Sequence, residues 1–430
     1  MISYLVNAAR STRDRYALAL EYRDFRNMWL ANFSAQAAAW GLIVARAWFV
    51  YDDMQSSSGV GLTTFAAMAP AFIVPAIAGV LADRFDRRTL LGYTYILNLG
   101  VNLVLALLAF MGGLDLWLVV ALSLLNGTAR YAQMPISQAL SANLVPRDVL
   151  LNALSLTSAT THIAKLVGPA IVTPVLVLLG PAPAFLLCTL GYVLGWFQVR
   201  RIGRQLPRGA PSGANPAADF IAGFRYIASQ PLIAMVTIIV GFHCSLTMAY
   251  ESALPGFSQQ NLGDHSLFGV LMTAVGVGSA IGSIYIGGIQ SALVRGRLLL
   301  VMGILSGAGQ LLLALSPNLA VAWVAAFVMG WNQAAFMTLG QAITQSLADD
   351  EYRGRIASIN TMSFQGLMAL MNLGNGVFAD HFGAAWVLLM NGVLFVLVML
   401  LSFLVATPRR VYTTGIPAEA HAAQRVAVRG

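Results

Sequence analysis

Twelve membrane-crossing helices, gathered into two similar bundles of six, are the architecture this chain encodes. Its composition, the placement of its cations and a faint internal repeat each point to that all-α membrane fold. Of its 430 residues, 58% are hydrophobic and only 10% charged, against about a quarter charged in soluble domains. The mean hydropathy is +0.73. A bilayer core needs about 20 apolar residues per helix. By that measure spans 1 to 12 run near 28–51, 62–82, 89–111, 116–138, 149–180, 183–200, 231–254, 266–288, 297–315, 320–346, 355–379 and 384–406.

The cations give the orientation. Of the 25 basic residues, 22 fall in alternate gaps between the spans, and the intervening gaps hold none. Arg10 to Arg26 precede span 1, Arg84, Arg87 and Arg88 follow span 2, and Arg147 follows span 4. Arg200 to Arg225 follow span 6, Arg295 and Arg297 span 8, Arg353 and Arg355 span 10, and Arg409 to Arg429 span 12. Lys and Arg are retained on the cytoplasmic side, so both termini are expected there. The net charge of +8 is thinly spread over these loops, where anionic headgroups are its natural partner. It forms no patch of the kind that binds nucleic acid. Residues 1–27 have no apolar core ahead of a cleavage site, so span 1 is expected to serve as its own insertion signal. Cys188 and Cys244 both lie within spans and read as buried filler rather than a disulfide.

The longest polar interruption, residues 201–219, is rich in Pro, Gly and Arg and divides the chain. The expected domains are a first bundle (1–200), a cytoplasmic linker (201–230), a second bundle (231–406) and a cytoplasmic tail (407–430). Within the linker, Phe220, Ile221, Phe224 and Ile227 recur at helical spacing, which suits a short helix on the inner membrane surface. The bundles also resemble each other. An offset of 208 carries Gly79 onto Gly287 and Arg87 onto Arg295, and one of 206 carries Arg147 onto Arg353 and Gly168 onto Gly374. A duplicated six-helix unit is the plan of a carrier whose halves rock about a central site.

The most specific local string is Gly79-Val-Leu-Ala-Asp83-Arg84-Phe-Asp86-Arg87-Arg88-Thr89, between spans 2 and 3. Two others accompany it: the acidic-then-basic loop Asp349-Asp350-Glu351-Tyr-Arg353-Gly354-Arg355 before span 11, and Val167-Gly168-Pro169-Ala170 in span 5. Together these resemble the major facilitator superfamily over residues 20–406. Asp86 stands where the generic pattern has Gly, and the form is more similar to the bacterial branch that includes the enterobactin exporter and multidrug efflux proteins. The resemblance implies a transporter of the bacterial inner membrane, working by alternating access, with export as the direction. It also makes the start of span 11 the partner of Asp83. A carboxylate there would accept hydrogen bonds from exposed helix-terminal amides and latch the cytoplasmic gate in one state. Gly79 lets two helices approach closely. Arg84, Arg87, Arg88, Arg353 and Arg355 belong to the same gate loops, although topology alone also accounts for them.

Three cations depart from the alternation and lie inside spans: Arg46, Arg130 and Lys165, the last being the only lysine. Each costs about 2.5–3.5 kcal/mol if it faces lipid, so each is expected to face a cavity or an internal partner. An offset of 205 carries Arg46 onto Glu251 in span 7. His243, Thr247 and Glu251, four apart, would share one helix face. One reading makes the cations a site for an anionic or electron-rich substrate, with Gln36, Trp40, Gln133 and Asn332 completing a pocket of drug or siderophore size. A second makes Glu251, with His243, the carrier of the coupling proton, since burial disfavours a charged carboxylate. A third makes them structural pairs, such as Arg46 with Asp52 or Glu251.

The function expected from these features is proton-coupled export of a small organic molecule by a monomer. An importer or a lipid or metabolite flippase of the same fold is the alternative. A P-loop ATPase needs a Lys after a glycine-rich turn, and the sole lysine sits in Ile163-Ala164-Lys165-Leu166. Neither a nucleophile–base string nor metal-spaced ligands appear in the sequence, so no enzyme, metal or other cofactor is expected.

Overall fold

The computed structural model describes residues 18–203, 216–287, 289, 291–349 and 351–415. Expectations that fall on Arg10 to Arg15, on linker residues 204–215, on Asp350 and on the tail from 416 lie outside them. The helices are α1 (Arg23–Met54), α2 (Ser57–Met68), α3 (Val74–Arg84), α4 (Arg87–Met111), α5 (Leu116–Leu144), α6 (Arg147–Leu179) and α7 (Pro181–Arg200). They continue with α8 (Pro216–Ser229), α9 (Pro231–Leu246), α10 (Leu254–Leu262), α11 (Leu267–Gly287), α12 (Ala292–Ala314) and α13 (Leu319–Leu347). The last three are α14 (Arg353–Phe382), α15 (Ala384–Leu404) and α16 (Ala406–Thr414).

Among the described residues, eight helices are long and apolar enough to cross a bilayer, or up to ten if two bent pairs each count as one span. The 29-residue α5 and 30-residue α14 fill expected spans 4 and 11. Their Asn, Gln and Arg residues make them less apolar than the other spanning helices. Span 2 is interrupted at Ile73, between Pro70 and Pro75, where two missing amides break the ladder. Helix starts follow the capping side chains. Asp86 accepts from the Arg88 amide, Asp115 from Leu118 and Asn318 from Val321. Gly112 ends α4 at φ 66°, a left-handed conformation suited to glycine.

By contact the chain forms two units, residues 1–45 with 73–213, and residues 46–72 with 214–430. In the first, α1 up to Ala45 is clasped by α6 and α7 through glycines. A side chain at Gly168 would strike the Ala37 carbonyl and the Gly41 amide, and one at Gly191 would meet Ala38. Such small-residue crossings let membrane helices pack backbone to backbone. Hydrogen bonds between helices fix the register: Trp29 Nε1 to Thr160 Oγ1 (2.6 Å), Tyr95 Oη to Asn32 Oδ1 (2.9 Å) and Asn126 Nδ2 to Asn98 Oδ1 (2.8 Å).

In the second unit α11 crosses α13 so closely that a Cβ at Gly278 or Gly282 would overlap the main chain of Phe327 and Trp331. Packing thus accounts for these two glycines of expected span 8. α2 lies along α14 in the same manner, with Gly61 against Asn372 and Leu373, and Gly376 against Ser57. α8 turns by 107° into α9. Phe220, Ile221 and Phe224 on α8 are exposed, but Ile227 is buried in a cluster with Ile233, Ile356 and Ile359. The four do not share one lipid-facing stripe, because Gly223 brings α8 onto Arg355 and Ile359. Cys188 and Cys244 are both buried.

Candidate functional site

In the first unit the α1–α6 crossing places Trp40 beside Lys165. Gly168 is one turn beyond Lys165, and a Cβ there would lie 2.9 Å from the Cβ of Trp40. The Lys165 ammonium sits 5.1 Å from the Trp40 ring centroid and the Arg130 guanidinium 5.5 Å from it. Both separations are within cation–π range. Two of the three intramembrane cations therefore converge on a single indole. Lys165 is 7% exposed, while Arg130 and Trp40 are half-buried. Gln133 lies one turn beyond Arg130 on α5. Its Nε2 and the Trp40 Nε1 are buried and make no hydrogen bond among the described residues. Buried donors of this kind are rare in folded proteins. Gln36, one turn before Trp40, is half-buried. The geometry thus joins two cations to one aromatic ring whose own N–H is uncommitted.

Arg46 and Asn332 are placed elsewhere. Arg46 lies in the second unit at 4% exposure, beyond the division of α1 at Ala45. Asp52 meets His265 Nε2 at 3.2 Å, and the His265 ring lies 5.2 Å from that of Trp48 and 5.9 Å from that of Tyr51. Asn332, also in the second unit, donates to the Val328 carbonyl of its own helix at 2.7 Å.

Glu251 is not on a helix face shared with His243 and Thr247. α9 ends at Leu246, and residues 247–253 are irregular before α10 begins at Leu254. Four amide side chains hold this stretch. Gln310 Nε2 donates to Leu246 O (3.3 Å), Gln333 Nε2 to Thr247 O (2.6 Å) and Asn375 Nδ2 to Ala249 O (2.6 Å). The Ser252 amide donates to Asn372 Oδ1 at 3.1 Å. Non-helical backbone at membrane depth survives only when its polar groups are met in this way. Glu251, 4% exposed, is carried on the stretch so fixed. His243 is fully buried, its Nε2 3.0 Å from Ser306 Oγ and its ring between Phe336 (4.4 Å) and Phe395 (5.1 Å). Sequence reasoning missed this amide clamp. Its trace was the number of Asn and Gln residues within apolar spans.

The gate loops are locally knit. Arg87 pairs with Asp83 at 3.6 Å and donates to Ala82 O, Ala139 O and Asn143 Oδ1, tying α3 to α5. Arg88 donates to Arg200 O at 2.6 Å. A side chain at Gly79 would meet nothing within 4 Å, so close approach is not what that glycine serves here. Arg84 ends α3 in its last turn. At the second loop Arg353 donates to Gln345 O, and Arg355 pairs with Glu351 at 3.5 Å while lying over Tyr352. Tyr226 of α8 stacks on Tyr352 at 4.2 Å and donates to Asp349. Sequence gave no sign of that brace.

Among the described residues, a multi-pass, all-helical fold with intramembrane cations and a broken span is that of a membrane protein and fits the major facilitator superfamily. Similarity carries this further. The chain belongs to the transmembrane secretion effector family of that superfamily, whose description matches residues 17–429. It is 25% identical to the enterobactin exporter EntS of an Escherichia coli strain over 389 residues, covering 87% of this chain and 91% of that one. To the staphyloferrin A transporter of Staphylococcus aureus it is 21% identical over 345 residues, or 78% and 84% of the two chains. Among solved structures, a POT family transporter in complex with 5-aminolevulinic acid superposes with a TM-score of 0.71 at 11% identity, covering 90% of this chain and 96% of that one. A bacterial homologue of the lysosomal transporter Spinster gives 0.66 at 15%, covering 93% and 90%. These structural likenesses show the fold.

Proposed function

We propose that this transporter exports an anionic organic molecule of siderophore or drug size from the bacterial cytoplasm, driven by protons moving inward. The observation that carries the reading is the convergence of Arg130 and Lys165 on Trp40. An anion between these groups would gain charge-assisted hydrogen bonds from both cations, and an aromatic substituent could stack on the indole. The buried N–H groups of Trp40 and Gln133 would serve acceptor oxygens. The names of two relatives, enterobactin exporter and staphyloferrin A transporter, support a siderophore-like cargo, and the first of them supports the outward direction. Glu251 is the proposed proton carrier, since it is a buried carboxyl held by a rigid clamp rather than by a flexible loop. Asp83, half-exposed beside Arg87, is the proposed gate carboxylate.

The test is efflux from a host lacking its own pumps, across a panel of anionic and neutral compounds. A hydrogen bond to a charged group is worth about 1.5–3 kcal/mol, roughly a 10- to 150-fold effect. Lys165→Ala is expected to lower efflux of the anionic cargo on that scale and to spare neutral compounds. Glu251→Gln is expected to stop efflux driven by a proton gradient while leaving exchange of cargo across vesicles intact. Unchanged efflux of every compound in both variants sinks the proposal.

A further inference from the structure

The second unit carries a crevice that the proposed transport site does not use. It has a volume of about 360 Å³ and lies where α14 and α15 meet the end of α9. Phe378 and Phe382 of α14, with Trp386 and Met390 of α15, line its open side and are 43–65% exposed. Leu246, Asn375 and Asn391 line its base and are each at least nine-tenths buried. α15 is among the helices long and apolar enough to cross the bilayer, so its exposed side chains meet lipid, from the headgroup level at Trp386 to the hydrocarbon at Met390.

We propose that this crevice holds one acyl chain of a membrane phospholipid. Its lining is apolar apart from two asparagines, and these direct their amides inward. Asn391 Nδ2 donates to Asn375 Oδ1 (3.1 Å), and Asn375 Nδ2 to Ala249 O (2.6 Å). The base therefore suits a hydrocarbon tail better than a polar headgroup. Trp386, two residues into α15, suits the headgroup level where indoles collect. From there to Leu394, another lining residue, eight residues of helix span about 12 Å, a groove that runs inward along the chain direction of a lipid. The crevice is also continuous with the surface that the bilayer covers in any case. A tail seated there would keep water from the Asn391–Asn375–Ala249 hydrogen bonds, which are stronger when dry. Lipid would thus stabilise the broken stretch that carries Glu251.

The test is native mass spectrometry of the purified full chain in detergent micelles supplemented with phosphatidylglycerol, counting retained lipids. Leu394→Trp fills the crevice and is expected to retain one phospholipid fewer than the wild type. Met390→Trp, at the half-exposed rim, gives the same reading if Leu394→Trp does not fold. Ile284→Trp, 73% exposed on α11 and outside the lining, is the control and is expected to keep the wild-type number. Equal lipid counts in the wild type and the filled variants overturn the proposal, as does an equal loss in the control.

Discussion

Asp380, near the end of α14, is the most heavily used acceptor at the start of α2, and its removal has a calculable effect. Its Oδ1 accepts from the Ser57 amide at 2.6 Å. Its Oδ2 accepts from the Ser58 amide at 2.9 Å, from the Ser56 hydroxyl at 2.7 Å and from the Ser58 hydroxyl. The first amides of a helix have no partner within it, so one carboxylate satisfies two of them while adding negative charge at the favourable end of the helix dipole. Hydrogen bonds to a charged group are worth about 1.5–3 kcal/mol net, and a charge at a helix N-terminus about 0.3–1. Asp380 is exposed, which argues for the low end, and asparagine keeps one acceptor oxygen. Asp380→Asn should therefore cost about 1–2 kcal/mol locally, roughly 5- to 30-fold in the opening equilibrium.

Hydrogen exchange at the amides of Ser57 and Ser58 reads that opening directly. The expected result is a 5- to 30-fold loss of protection there, with α12 and α13 unchanged. The pH dependence has a definite sign. Burial pushes the Asp380 carboxyl up, but the Ser56 and Ser58 hydroxyls and the Ser58 and Ser57 amides outweigh it and hold it below the ordinary carboxylate value. A depressed folded value gives stability that is complete above the unfolded value of about 3.9 and is lost as pH falls through the folded one. After correction for intrinsic exchange, wild-type protection should be level from pH 5 to 8 and fall only in stronger acid, whereas the asparagine variant should show no such fall. Protection within twofold of wild type at pH 7 would refute the capping argument.

Two further substitutions test the packing of the sites. Asn375→Leu leaves the Ala249 carbonyl and an Asn391 donor without their partners. That should cost about 1–3 kcal/mol, seen as a lower denaturation midpoint, and an unchanged midpoint would show that water replaces the amide. Gly168→Leu forces a side chain into Ala37, Trp40 and Gly41, an overpacking of about 1–3 kcal/mol. It should move Trp40 off Lys165 and cut efflux, whereas Gly100→Leu, with nothing within 4 Å of its Cβ, should not.

The spans and their polar gaps were legible because apolar length and the cost of a lipid-facing charge are local properties of the chain. The meeting of Trp40 with Lys165 was half legible: the charge betrayed itself, but its partner depended on where Gly168 lets α1 and α6 cross. The break in α9 was hidden. Thr247 to Ala253 contains neither Pro nor Gly, and spacings of four through Glu251 imitate a helix. The groups that hold it open, Gln310, Gln333, Asn372 and Asn375, stand 64 to 126 residues from their partners. Local periodicity carries no information about such distant acceptors. The same holds for Ile227, whose helical spacing matched an exposed stripe while Gly223 turned it into a packed cluster.

The energetics of Arg130 bear on the proposal that the first unit binds an anion. Facing lipid, an arginine costs about 2.5–3.5 kcal/mol. A desolvated cation–π contact returns about 2 kcal/mol, and an exposed one only about 0.5–1. Half-buried at 5.5 Å from Trp40, Arg130 falls between those limits. About 1–2 kcal/mol is then left uncompensated by the indole, on the same insertion and contact values. A residue chosen for stability alone would be neutral and would avoid that cost. On the proposed function, a residue that meets an anion would incur that cost in the empty state and recover it on loading through charge-assisted hydrogen bonds. In that proposal the indole would hold the cation between loadings, and the uncompensated remainder would favour an arriving anion.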